Sequence, residues 1–223
     1  MNKVTALRAG KGRRKRVSVF LEGKFAFSLE AEVVVKAGLR VGQELAEGYL
    51  EELTGTDRFH RCLNAATRYL SYRPRSEAEL REKLSRRGFA DEGIAAVLTR
   101  LKERGLVDDM AFARFWRDNR DSFSPRSQWL TKLELQRKGV DADIIDQVAS
   151  AIDDNDNAYR TAQSKARRLS RADYPDFRRR LGAYLQRRGF GYEVINSTVK
   201  RLWPEPEQSW MGLHPGTRPG ENK

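Results

Sequence analysis

Pairs of basic residues recur along this chain in a pattern that could neutralise phosphates. Three similar segments, 84–89, 135–140 and 185–190, each place two cations directly before a glycine. Arginine and lysine side chains bind nucleic-acid phosphates and displace counterions as they do so. Because the pair returns once in each of three similar segments, the pattern favours contact with a nucleic-acid backbone over reading of the base sequence.

Two interpretations of these pairs stay open at the level of sequence. A glycine that follows two cations and precedes an apolar residue is typical of a left-handed helix C-cap, and cations suit the negative end of a helix dipole. Alternatively, the pairs form a ladder of phosphate contacts, together with a basic N-terminal loop and a run of three arginines. On this second interpretation, the candidate DNA- or filament-binding residues are Arg13, Arg14, Lys15, Arg16, Arg86, Arg87, Arg178, Arg179, Arg180, Arg187 and Arg188.

Residues that could support catalysis or metal binding are few. His60 and Cys62 lie close together, but one histidine and one cysteine make a poor zinc site. Asp108 and Asp109 could hold a metal for phosphoryl transfer, but adjacent carboxylates at a helix start more often act as caps, and Asp109 is our candidate N-cap. Nucleotide-binding glycine motifs and a Gly-x-Ser-x-Gly motif are absent from the sequence. We therefore expect a non-enzymatic protein with no cofactor and no metal.

The composition supports a folded protein with an anionic partner. The 43 basic and 31 acidic residues give a formal net charge of +12, which points to nucleic acid, an acidic protein or an anionic surface. Hydrophobic residues make up 39% of the chain, enough for a thin core. No apolar run approaches the roughly 18 residues of a membrane span, no secretory signal is visible, and the single cysteine suits a reducing compartment. We expect a cytoplasmic protein that does not contact membranes.

The three cation pairs belong to an internal repeat. Their glycines lie 51 and 50 residues apart, and apolar residues follow each glycine at offsets typical of an amphipathic helix. Ser76 and Ser127 are good N-caps for the helices that precede the first two glycines, and Ser76 with Glu79 forms a capping-box pattern. Each repeat alone is too small to bury much surface, so that neighbouring repeats must stack. The fold class is therefore mainly α, with tandem three-helix repeats in an elongated arrangement.

The N-terminal region has the alternating pattern of β-strands. Apolar residues alternate in 17–21 and in 25–29 on either side of Glu22-Gly23, which indicates a small β-hairpin. A further strand at 4–8 and a short helix at 30–36 complete this region, and the polar stretch 153–157 is interpreted as a connector. The predicted domains are an N-terminal β-hairpin and short-helix region at 1–57, three-helix repeats at 58–107, 108–153 and 154–203, and a disordered tail at 204–223.

Several short strings follow one another along about residues 1–203, each weak alone and moderately specific in combination. They are Ser28-Leu29-Glu30, Val34-Val35-Lys36-Ala37-Gly38-Leu39, Gly42-Gln43-Glu44-Leu45, Ala66 to Ser76, Gly105-Leu106-Val107-Asp108-Asp109 with Phe112-Ala113, and Leu185 to Phe190. Their order, together with that of the elements above, resembles the bacterial RecX regulatory family. The resemblance implies tandem three-helix repeats, in agreement with the periodicity.

The resemblance also implies a function in the regulation of recombination. It implies a non-catalytic protein that binds the recombinase RecA and RecA–single-stranded DNA filaments and modulates them, usually as an inhibitor, in recombination, DNA repair and the SOS response. The expected partners are the RecA filament and single-stranded DNA, with duplex DNA as a further option, and the protein is expected to be a monomer. The alternative is an independent basic DNA-binding protein of helix-turn-helix type, which would give a duplex footprint with high specificity.

Overall fold

The computed structural model describes residues 2–10 and 16–203. Arg13, Arg14 and Lys15 of the candidate site lie outside the described residues, as does the tail 204–223. The predictions made for them therefore stay predictions.

A small antiparallel sheet forms the N-terminal region. Its strands β1 (Asn2–Ala9), β2 (Arg16–Leu21), β3 (Lys24–Glu30) and β4 (Glu44–Leu45) are ordered β3-β2-β1-β4. Glu22 and Gly23 connect β2 to β3 with φ values of 47° and 80°, and positive φ at both positions matches the twist of a hairpin. Helix α1 (Ala31–Lys36) follows directly. The hairpin and the short helix are thus confirmed.

Nine further helices make up the rest of the described chain, so that the mainly α fold class is confirmed. They are α2 (Glu47–Leu70), α3 (Glu77–Ser85), α4 (Asp91–Glu103), α5 (Asp109–Phe123), α6 (Gln128–Gln136), α7 (Ala142–Ala149), α8 (Asp154–Arg168), α9 (Tyr174–Gln186) and α10 (Tyr192–Leu202). Helix α2 crosses the boundary that the sequence suggested between 57 and 58. The predicted domain boundaries and the elongated arrangement stay predictions.

The described residues form two compact units. The first comprises those within Met1–Ser124 and Gln128–Ile152, and the second those within Pro125–Ser127 and Asp153–Lys223. The first unit therefore contains the sheet together with the helices α1 to α7, and the second contains α8, α9 and α10.

The repeated glycines end their helices in the way that the sequence predicts. Gly88, Gly139 and Gly189 have φ values of 80°, 69° and 84°. The residue after each glycine donates its N–H to the carbonyl of the leucine five positions earlier, at 3.2 to 3.4 Å. This is the hydrogen bond of a Schellman motif, which satisfies a carbonyl that the helix leaves without a partner.

Two interpretations of acidic residues are wrong. Asp108, not Asp109, caps α5, because its carboxylate accepts from the N–H groups of Met110 and Ala111. Asp109 instead accepts from the N–H of Glu77, at the start of α3, over 2.8 Å. Burial raises the pKa of Asp109, against the lowering effect of this hydrogen bond.

The stretch 153–157 is not a connector either. Asp153 caps α8 by accepting from the N–H groups of Asn155 and Asp156, and the four following residues form the first turn of that helix. Polar and acidic residues are favourable there because they face the positive end of the helix dipole.

A polar network joins the first and second repeats within the first unit. Arg73 donates to both carboxylate oxygens of Glu79, at 2.9 and 3.1 Å, and the ammonium of Lys138 lies 2.7 Å from the same carboxylate. Ser76 Oγ accepts from the N–H of Glu79 and donates to the carbonyl of Lys138. Only half of the predicted capping box is therefore formed, because the Glu79 carboxylate bridges the two repeats instead.

The network makes Glu79 a pH-dependent source of stability. Burial alone would raise the pKa of Glu79, but the hydrogen bonds from Arg73 and Lys138 outweigh burial and hold the pKa below its ordinary value of 4.5. The folded state therefore binds fewer protons than the unfolded state around and below pH 4.5. The stabilisation is present above that pH and is lost as the pH falls through the folded-state pKa.

We expect Glu79→Gln to lower the free energy of unfolding by about 2 kcal/mol at pH 7, since it weakens charge-assisted hydrogen bonds to two cations. The difference from the unmodified protein should shrink as the pH falls towards 3. Urea denaturation at pH 7, 5 and 3 measures this. Glu82→Gln is the matched control, because within the described residues the exposed Glu82 pairs only with Arg86, the C-cap of its helix, and it should change little. An equal effect of both substitutions at pH 7 would contradict the assignment.

Candidate polyanion-binding surface

One face of α2 presents cations to a groove in the first unit. Arg61, Asn64 and Arg68 follow each other at intervals of three and four residues, which places them on one helix face. Arg16 at the start of β2 and Arg87 after α3 lie around the same groove, which has a volume of about 560 Å³. Four guanidinium groups thus line one cavity.

The carboxylates of this groove are engaged by other partners. Glu30 accepts from the side-chain amide of Asn64 at 2.9 Å. Glu32 pairs with Lys36 at 2.8 Å, and the hydrogen bond from Lys36 lowers the pKa of Glu32. Within residues 2–10 and 16–203, Arg61, Arg68 and Arg87 have no carboxylate at ion-pairing distance. The groove therefore offers three positive charges to an outside anion.

A tyrosine ring extends this surface beyond the groove. The ring of Tyr69 is approached by Arg75, Lys83 and Arg87, at 5.6, 5.3 and 5.6 Å from its centroid. Burial lowers the pKa of Arg75, and the neighbouring Arg73 adds to this effect. We call Arg61, Arg68, Arg75, Lys83 and Arg87, with Tyr69 between them, the repeat-1 basic surface. Its cations repel one another, so that a bound polyanion would stabilise it.

Arg16 holds the sheet against α2 as well as lining the groove. Its guanidinium donates to the carbonyl of Ser28 and to the carboxylate of Asp57, the latter over 3.2 Å. The buried Asp57 also accepts from the N–H of Glu30 at 2.7 Å. Arg16 is therefore a positioning residue of the groove wall, with its charge already paired.

The structure separates the members of each predicted cation pair. Arg86, the C-cap of α3, pairs with Glu82 on that helix, whereas Arg87 joins the repeat-1 basic surface. In the second unit, Arg187 is exposed, whereas the half-buried Arg188 lies 4.3 Å from the ring centroid of Tyr184 and donates to Thr161 Oγ1 at 3.1 Å. Arg188 therefore has a structural role, whereas Arg187 faces solvent.

A shared contact explains the second cation of the repeat. Arg87, Lys138 and Arg188 all lie over aromatic rings, with Lys138 at 4.4 Å from the centroid of Trp116. Such cation–π contacts stabilise a helix end, in addition to the favourable interaction of the cation with the helix dipole. The helix-end interpretation is thus supported for these second cations, whereas contact of the pairs with phosphates stays a prediction.

The run of three arginines on α9 is partly neutralised. Arg179 and Arg180 both pair with Asp176, and the hydrogen bond from Arg179 is the main reason that the pKa of Asp176 is lowered. Arg178 is exposed and has no carboxylate partner among the residues that the structure describes.

Sequence reasoning missed most of the repeat-1 basic surface. The runs and pairs of cations in the sequence do not include Arg61, Arg68, Arg75 and Lys83, which stand singly in the chain. The seven-residue spacing of Arg61 and Arg68, about two turns of a helix, was the available signal. Arg75 and Lys83 carry no such signal, because only the fold brings them to Tyr69.

Other chemistry finds little support in the part of the chain that the structure describes. No three His, Cys, Asp or Glu side chains there are grouped so as to hold a metal ion. Cys62 is buried, and burial raises the pKa of its thiol to about 11, which disfavours the reactive thiolate. Among the described helices, none combines the length and apolar character that crossing a bilayer requires.

Comparisons with known proteins agree with the fold. Family models described as the Regulatory protein RecX N-terminal domain, the RecX first three-helix domain and the RecX third three-helix domain match residues 2–46, 62–101 and 153–199. The chain is 30% identical over 205 residues to the regulatory protein RecX of Clostridium botulinum strain Alaska E43, which covers 90% of this chain and 96% of the relative. It is 31% identical over 209 residues to that of Clostridium perfringens strain 13, covering 91% and 97%.

Solved structures show the same fold. A crystal structure of regulatory protein RecX superposes with a TM-score of 0.64 at 22% identity, covering 90% of this chain and 100% of that one. The crystal structure of RecX from Lactobacillus salivarius gives a TM-score of 0.58 at 25% identity, covering 66% of this chain and 97% of that one.

Proposed function

Because the chain belongs to the RecX regulatory protein family, we propose that it binds RecA and RecA–single-stranded DNA filaments in the cytoplasm. It lowers recombinase activity there without catalysing a reaction of its own. The observation that carries the proposal is the repeat-1 basic surface, because it holds five cations without carboxylate partners among the described residues.

Phosphate neutralisation is the chemistry that this surface supports best. Each phosphate contact on a single strand contributes about 0.7 to the dependence of log affinity on log salt concentration. Contacts of this kind position a protein on nucleic acid without selecting a base sequence. A regulator that follows a filament of any sequence requires this property.

Retention on RecA-coated single strands, measured across a salt series, tests the proposal. We expect the protein to be retained more strongly on RecA-coated strands than on bare strands, and to lower ATP hydrolysis and strand exchange by RecA when present at equimolar amounts or below. Retention should fall steeply with salt. Equal retention on bare strands together with unchanged RecA activity would refute the proposal. A strong footprint on one duplex sequence would favour an independent DNA-binding protein instead.

A further inference from the structure

The second unit contains a groove that differs in chemistry from the repeat-1 basic surface. It lies between α9 and α10 and has a volume of about 500 Å³, which is in the range of small-molecule sites. The buried Phe190 and the partly buried Ile195 contribute apolar surface, and Tyr192 at the start of α10 is 72% exposed. Most of this aromatic side chain, which lines an apolar groove, is therefore accessible to a ligand.

Gly182 keeps the groove open between the two helices. A Cβ at this position would lie 3.6 Å from Ile195 Cγ2, in ordinary van der Waals contact. Glycine in the middle of a helix costs about 1 kcal/mol relative to alanine. Since alanine would fit, neither a steric clash nor a positive φ explains the glycine, whereas the space that it leaves belongs to the groove.

Polar groups of two kinds surround the apolar floor. Gln186 and Asn196 contribute side-chain amides to the lining, and neither amide has a hydrogen-bond partner among residues 2–10 and 16–203. Arg178 and Arg179 line the same groove, and of these two only Arg179 has a carboxylate partner within the part of the chain that the structure describes. The groove therefore combines an exposed aromatic ring, amides that can both donate and accept, and positive charge.

We propose that this groove binds one unpaired nucleotide of a single strand, with the base stacked on Tyr192, its edge hydrogen-bonded by Gln186 and Asn196, and its phosphate held by Arg178. Unpaired bases are recognised by stacking on aromatic rings and by hydrogen bonds to their edges. Amide side chains offer the donor and acceptor groups that match such edges. An acidic peptide would use the arginines, but it would leave the free ring and the two amides unexplained.

This inference rests on the proposed function only in that DNA is the partner, and RecA is left out of its test. The probe is a fluorescent five-residue oligothymidylate, compared with the same oligomer in which the bases are replaced by abasic sites. We expect the unmodified protein to prefer the intact oligomer. Tyr192→Leu should reduce the affinity for the intact oligomer at least about fivefold, because stacking on one base is lost, and it should leave the abasic oligomer unaffected. Tyr192→Phe should keep the preference.

Phe123→Leu is the matched control, since Phe123 is another highly exposed aromatic residue, at 83%, outside this groove. An oligomer that contains 5-iodouracil should crosslink to Tyr192 on irradiation, and mass spectrometry locates the crosslinked residue. The exposure of Tyr192 means that its replacement should not unfold the unit, which circular dichroism can verify. Equal affinities for intact and abasic oligomers, or an unchanged affinity in Tyr192→Leu, would overturn the proposal. If Tyr192→Leu weakened the binding of an acidic peptide but not of the oligomer, the groove would be assigned to a protein partner, and the proposal would be overturned as well. None of these results would bear on the regulation of RecA.

Discussion

Replacing Arg61, Arg68 and Arg87 together by glutamine should lower the affinity for single-stranded DNA about 100-fold at about 0.1 M salt. The three guanidinium groups line one groove and have no carboxylate partner among the described residues. If each neutralises one phosphate, the slope of log affinity against log salt should fall by about 2, since each contact contributes about 0.7. Fluorescence anisotropy across a salt series measures both quantities.

The control for this triple substitution removes the same charge from paired positions. Arg81, Arg100 and Lys132 each form an ion pair with a carboxylate, to Glu77, Glu103 and Asp146 respectively. Their joint replacement by glutamine should change the affinity much less, because these cations are already neutralised. If both triple variants lose affinity equally, the net charge of the protein, and not the groove, determines binding.

Gly139→Ala should destabilise the first unit by about 2 to 5 kcal/mol. Gly139 has a φ of 69°, a left-handed conformation that costs an L-residue about 1–2 kcal/mol. A Cβ at Gly139 would also lie 2.4 Å from Cβ of Ala78, at the junction of the first two repeats, and relief of such overpacking costs about 1–3 kcal/mol more. Chemical denaturation of the full chain, followed by circular dichroism, measures the loss.

Gly88→Ala is the control, because Gly88 has the same place in the first repeat. Its φ is 80°, but a Cβ there would meet nothing within 4 Å. We expect a loss of about 1–2 kcal/mol from backbone strain alone. Equal losses in the two variants would show that the contact between Ala78 and Gly139 does not hold the repeats together.

The contrast between these two glycines separates two kinds of information in the chain. Both conformations are readable from sequence, because a cation pair, a glycine and an apolar residue specify a helix end through hydrogen bonds over only a few residues. The same locality made the hairpin at Glu22-Gly23 predictable. The close approach between Gly139 and Ala78, in contrast, joins two residues that are 61 positions apart, and no local pattern encodes it.

The same distinction explains which parts of the candidate site were predictable. The sequence by itself determined the three repeated helix ends, the mainly α fold class and the excess of positive charge, because each depends on composition or on neighbours along one helix. It also carried enough of the family pattern for the family to be identified. Tertiary structure alone decided which cations are free.

That decision depends on carboxylates that the fold brings from elsewhere in the chain. Asp57 reaches Arg16 across 41 positions, and Glu79 reaches Lys138 across 59. Arg61, Arg68 and Arg87, in contrast, meet no such partner within the described residues. An ion pair requires its two atoms within 4 Å, whereas a sequence reports only how many charges of each sign exist. The location of the repeat-1 basic surface therefore became visible only when the chain was folded.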